Sequence, residues 1–193
     1  MAGLLHKNDE RPVTAAELFP ELATVRVAFD VVGVPRPQGS KQPFTPHGQD
    51  ARPCPSCRRR HLVKMSVAEM AGDNLKLWRR QVAAAAHQAM AGKPPMGGPL
   101  HLDVGFTFAR PKAHYRTGKF AHLLKDDALA WPAGDPDLDK LVRAVGDALK
   151  GKVWADDSQV VHLSAWECFD RDSPPCEGKL PHAGASIVVT QIA

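Results

Sequence analysis

The sequence lacks any apolar run near the roughly 18 residues that a membrane-spanning helix needs, which leaves no candidate for such a segment. Lys7, Asp9 and Glu10 break up the first ten residues, so the uninterrupted apolar core of an export signal is missing and a cytoplasmic location is expected. Cysteine is scarce. Cys54, Cys57, Cys168 and Cys176 are too few and too unevenly spaced for a disulfide framework, so thiols or a metal clip are expected instead. What remains is an ordinary globular composition, 44% hydrophobic and 24% charged, in 193 residues. That length suits one domain with a genuine core.

The net charge of +4 conceals a strong asymmetry. Residues 34–125 carry 16 Lys and Arg against 4 Asp and Glu, whereas residues 126–193 carry 6 against 12. A polyanion-binding middle beside a carboxylate-rich region is the functional reading. A solvated basic face without a ligand is the bland alternative.

Residues 1–22 read as a polar N-terminal extension, and residues 23–193 as the domain. Val25, Val27, Phe29 and Val31 alternate with Arg26, Ala28 and Asp30, the two-residue period of a half-buried strand. Pro35, Pro37 and Gly39 end it. Residues 44–66 read as a Cys/His hairpin insertion, with a brief strand at 61–65. Asp73 or Asn74 is expected to cap a helix over 75–91, stopped by Gly92 and Pro94. A second alternating strand spans 100–108, and residues 110–134 have no clear period, which predicts a long loop, with a binding role or local disorder as its two readings. Leu138, Leu141, Val142, Val145 and Leu149 then form one apolar stripe at spacings of three and four, with Gly151 as the left-handed stop. Strands over 160–169 and 185–192 follow. The order predicts an α+β single domain, a mixed or antiparallel sheet packed against two main helices.

The chemistry concentrates around that second helix. Asp135, Asp137 and Asp139 precede and open it, and Asp156 and Asp157 sit in the turn before the next strand. Inside a regular helix Asp137 and Asp139 would point about 200° apart. They converge if Asp137 is still extended, which Pro136 favours by restricting the chain as it enters the helix. Three meeting carboxylates suit a hard divalent cation that bridges protein oxygens to a phosphate and activates water. By themselves, however, Asp135 or Asp137 could be an N-cap and the later pair a turn. The basic middle of the chain favours the metal reading.

Asp137-Leu138-Asp139, the helix through Leu149 and the run Val153-Trp154-Ala155-Asp156-Asp157-Ser158-Gln159-Val160-Val161 resemble the signature of the RusA family of Holliday junction resolvases. Gly33-Val34-Pro35-Arg36-Pro37-Gln38-Gly39-Ser40-Lys41 and Arg110-Pro111-Lys112-Ala113-His114-Tyr115 are similar to further family segments in the same order. The resemblance implies a Mg²⁺-dependent (or Mn²⁺-dependent), homodimeric endonuclease that resolves four-way DNA junctions by paired nicks in recombination and repair. It places the catalytic, metal-holding aspartates at Asp137, Asp139 and Asp157. The sequence departs from the family in having Lys140 where asparagine is usual and Arg143 where a lysine is essential. Arginine keeps the charge but cannot give up a proton, so a phosphate-clamping role for Arg143 survives and a proton-transfer role does not. A general nuclease for other branched DNA, or a catalytically silent branched-DNA-binding module with a zinc hairpin, are the rivals.

Lys41, Arg110, Lys112, Arg116, Lys119 and Lys140 are the expected phosphate contacts. Tyr115, the only tyrosine, either stacks on an unpaired base or packs on its own loop. Cys54, Cys57, His61 and His47 could supply sulfur and nitrogen ligands to a structural Zn²⁺, against unliganded thiols in the same hairpin. Elemental analysis decides between them: a real clip gives one zinc per chain, released by chelation, and a metal-free protein removes it.

Overall fold

The computed structural model describes residues 23–39, 41–44, 56, 66–69 and 72–192. The N-terminal extension, Cys54, Cys57, His47, His61 and the brief strand expected at 61–65 all lie outside the described residues.

Four strands form the main sheet: β1 (Ala23–Val32), β4 (Leu100–Phe108), β5 (Val160–Phe169) and β6 (Gly184–Ile192), in the spatial order β1-β6-β4-β5. β6 runs antiparallel to both neighbours, and β4 and β5 are parallel. Two short strands, β2 (Lys41–Phe44) and β3 (Ser66–Glu69), pair antiparallel as a separate ribbon. Helix α1 is Asp73–Met90 and helix α2 is Leu138–Leu149. Gly72 is the N-cap of α1 rather than Asp73 or Asn74, and Asp73 lies within the first turn. No described helix is long and apolar enough to cross a membrane.

The strand period decides which side chains meet the helices. Leu100, Leu102, Val104 and Phe106 of β4, with Ala185, Ile187 and Val189 of β6 and Val27 and Val31 of β1, form one apolar face. Against it lie Leu75, Trp78, Val82, Ala86 and Met90 of α1, at spacings of three and four, and Leu141, Ala144, Val145, Ala148 and Leu149 of α2. The opposite face is more polar: the rings of His101 and His162 stack at 4.2 Å, and Thr107 accepts the Leu180 backbone N–H at 3.1 Å. There Trp166 lies over Gly105, and its indole N–H donates to the Glu177 carbonyl at 2.9 Å.

Parallel neighbours cannot be joined by a tight turn, so β4 must leave the sheet and return through a long crossover. The stretch 109–159 is that crossover, and α2 is its helix. Every aspartate of the expected active site rides on it.

A Cβ at Gly105 would stand 2.6 Å from the Trp166 indole nitrogen. Gly105→Ala is therefore expected to destabilise the fold by about 1–3 kcal/mol through overpacking, measured by denaturant unfolding.

Candidate active site

Asp137 is the N-cap of α2, with extended backbone (φ −64°, ψ 131°) after a cis Asp135–Pro136 bond. Its carboxylate makes no capping hydrogen bond, so it is not consumed by the helix end. Asp139 follows in the first turn, where the helix dipole favours a negative charge. Each aspartate has a cation from its own helix: Lys140 Nζ lies 2.5 Å from Asp137, and the Arg143 guanidinium lies 3.6 Å from Asp139. The hydrogen bond to Asp137 holds the Lys140 ammonium above its ordinary range, so it stays charged. Asp137, Asp139 and Arg143 are all exposed.

The proline-rich segment after β1 is laid against this turn. The Gln38 backbone N–H donates to the Lys140 carbonyl at 2.9 Å, and the buried Gln38 side chain accepts from Arg79, which also pairs with Asp147 of α2 at 2.7 Å. Gln38 thus ties the proline-rich segment after β1 to the start of α2.

The second carboxylate pair lies at the other end of α2. Lys150 Nζ sits 2.8 Å from Asp156 and 3.6 Å from Asp157, and Asp157 Oδ1 accepts the Trp154 indole N–H at 2.9 Å. Asp156 caps the single turn of 3₁₀ helix at Asp157–Gln159. The Lys150 ammonium and the Ser158 N–H hold the Asp156 carboxyl well below its usual range. Gln159, a member of the signature run with no role assigned from sequence, fastens the turn. Its carbonyl oxygen accepts the Ala155 and Asp156 N–H groups, and its amide nitrogen donates to the Met96 and Gly98 carbonyls at 3.0 and 3.2 Å.

Twelve helical residues span about 18 Å. The fold therefore brings Asp137 to Asp139 and Asp156 to Asp157, but α2 stands between the pairs. Among the described residues of one chain no three His, Cys, Asp or Glu side chains form a group that could hold a metal ion.

Glu167 is the acid that sequence reasoning passed over. Its register opposite Phe106 puts it on the helix-facing side of β5, with Leu163 and Ala165. One carboxylate oxygen is buried without a hydrogen-bond partner. Burial, and then repulsion from Asp137, push its carboxyl up to about 7. The signal is the alternation Val161, Leu163, Ala165, Glu167, Phe169, where one charged residue stands in an otherwise apolar row. A buried carboxylate oxygen without a donor, beside a second carboxylate, fits a hard divalent cation, which takes oxygen ligands.

The loop before α2 is ordered by Arg110. Expected as a phosphate contact, Arg110 is instead buried: its guanidinium donates to the carbonyls of Leu129, Ala130, Arg171 and Asp172 and lies 4.2 Å from the centre of the Phe169 ring. Too few acids in the segment mark such a role in sequence, because its acceptors are backbone carbonyls. Tyr115 is tied to the turn after β5, donating its hydroxyl to Asp172 at 2.6 Å. Arg116 pairs with Asp126 at 2.7 Å, and Lys112 and Lys119 are exposed.

A sequence model of the endodeoxyribonuclease RusA family matches residues 50–177, which include α1, β4, the loop, α2 and β5. No curated protein matches the chain.

A carboxyl raised from its ordinary 4.5 to about 7 stabilises the fold while protonated, and that contribution fades as pH rises between those values. In a chelator, the melting temperature of Glu167→Gln is expected to fall less than that of the native chain between pH 5 and pH 8. Parallel curves would show that Glu167 has no such strain.

Proposed function

Since the chain belongs to the RusA family of endodeoxyribonucleases, we propose that it resolves four-way DNA junctions by paired, Mg²⁺-dependent nicks, acting as a homodimer in recombination and repair. The observation that carries this reading is the opening of α2, where two aspartates free of capping duty stand with Lys140 and Arg143 at the end of a basic loop.

Asp137 and Asp139, with Glu167 behind them, would supply the oxygen donors for a divalent ion at this end. Mn²⁺ would suit the same donors. When bound, the ion supplies Lewis-acid charge to the phosphate and lowers the pKa of water. Arg143 contributes a fixed, always-charged fork that clamps a phosphate and steadies the charge building on it in the transition state. Lys140 neutralises Asp137 before DNA arrives and is then available to a phosphate. Lys41, Lys112, Arg116 and Lys119 add sequence-independent phosphate contacts.

Asp157 enters from a second copy. Its separation from Asp137 along α2 argues against one chain supplying all three carboxylates, and an interface is available beside it. β5 is an edge strand of the sheet, and Val161 and Leu163, just after the Asp157 turn, are 63% and 47% exposed. An edge strand with exposed apolar side chains is a ready surface for association. A two-fold dimer that exchanges Asp157 would carry two equivalent sites, as two symmetric cuts require.

Asp139→Asn is expected to lower cleavage of a four-way junction by at least about a hundredfold while leaving junction binding intact or tighter. Asp157→Asn should be similarly inactive, and mixing the two variants should restore nicking, because the mixed dimer rebuilds one complete site. Inactive mixtures with normal dimers would place the whole site within one chain. Arg143→Ala should lose most of the rate and Arg143→Lys only part of it. Binding without nicks by the native chain in both Mg²⁺ and Mn²⁺ would mark a silent DNA-binding module.

A further inference from the structure

The loop from Arg110 to Gly134 carries large apolar side chains where a phosphate-binding surface does not need them. Phe120, Leu123, Leu129 and Trp131 are 47%, 42%, 50% and 45% exposed. Scattered single exposures of this kind are ordinary, but four within twelve residues form a feature. Tyr115, the aromatic that sequence singled out for stacking, is engaged with Asp172, whereas Phe120 and Trp131 display their rings.

The segment is built as a projecting hairpin. The Arg116 N–H donates to the Leu123 carbonyl and the Lys125 N–H to the His114 carbonyl, both at 2.9 Å, and Tyr115 bridges antiparallel to Leu124. At the tip, Gly118–Phe120 forms one 3₁₀ turn, with Gly118 at φ +64°. That positive φ suits glycine and lets the chain reverse there. Below the hairpin, the buried Arg110 guanidinium holds the carbonyls of Leu129 and Ala130, the residues just before Trp131. The chain then reaches Asp135 and Asp137 within six residues. Both rings therefore stand on a braced support that leads directly to the opening of α2.

The surrounding charge identifies the occupant. From Arg110 to Lys125 the sequence contains five Lys and Arg and no Asp or Glu. Lys119 Nζ lies 5.0 Å from the centre of the Phe120 ring. Apolar faces set among cations of one sign are complementary to a ligand that alternates flat apolar rings with anions, which describes an unstacked nucleotide strand. Fully paired duplex hides those rings, whereas the pairs at a branch point lose a stacking neighbour and open at lower cost.

Building on the branched-DNA reading, we infer that Phe120 and Trp131 form a wedge that stacks on bases unpaired at the branch point, recognising the branch itself, while the neighbouring lysines and arginines hold the flanking phosphates. The wedge separates base readout from catalysis: its loss weakens preference for branched over linear DNA and leaves the carboxylates untouched.

The test uses the full chain in chelator, with a four-way junction carrying 2-aminopurine at the branch point and a linear duplex of the same sequence. The native protein is expected to raise the 2-aminopurine fluorescence and to bind the junction more tightly than the duplex. Phe120→Ala combined with Trp131→Ala should remove most of the fluorescence rise and weaken junction binding roughly tenfold or more, with duplex binding nearly unchanged. Phe120→Trp should retain both properties, which a general loss of loop structure would not allow. An unchanged fluorescence rise and junction preference in the double alanine variant overturns the wedge alone. Absence of junction preference in the native protein overturns the branched-DNA reading and the wedge with it.

Discussion

The parallel pairing of β4 with β5 is the constraint from which the rest of the molecule follows. Because those strands point the same way, the chain between them must run the length of the sheet in reverse, and α2 is the element that does so. The helix is fixed in place by Leu141, Val145 and Leu149, each fully buried against the sheet and α1. Its two ends are thereby fixed as well, and each presents a carboxylate pair with a lysine beside it. Burial of the apolar stripe thus sets where the acids stand, before any contact among the acids themselves.

Much of this was legible in the sequence because it rests on local periodicity. Strands β4 and β5 and helix α2 fall at the residues their patterns marked, since each buries one regular face. Asp137 is extended, as the neighbouring Pro136 led one to expect. What the pattern could not carry was distance across the fold. Nothing local tells that α2 lies between Asp139 and Asp157 rather than folding them together, and the spacing left their convergence open. The reverse held for Glu167, whose approach to Asp137 comes only from the packing of β5 beside the start of α2.

Arg110 shows the same limit from another side. Basic residues in an aperiodic loop read as solvent-facing, and four of the five between Arg110 and Lys125 fit that reading or pair only at the surface. Arg110 does not, because its partners are main-chain carbonyls drawn from two separate stretches, 129–130 and 171–172. Main-chain acceptors leave no compositional trace. Gln159 is a parallel case, an amide among polar turn residues whose four bonds reach from its own turn to the carbonyls of Met96 and Gly98.

The buried guanidinium has a mechanical consequence. A loop of this length would ordinarily swing on its two ends like a tether, and a force applied at its tip would be lost in bending. Arg110 stitches the loop's return limb to the turn that follows β5 and rests against the Phe169 ring at the end of that strand. Load placed on the hairpin tip is consequently passed toward the sheet through these contacts, as through a bracket, and not only through the loop's two ends.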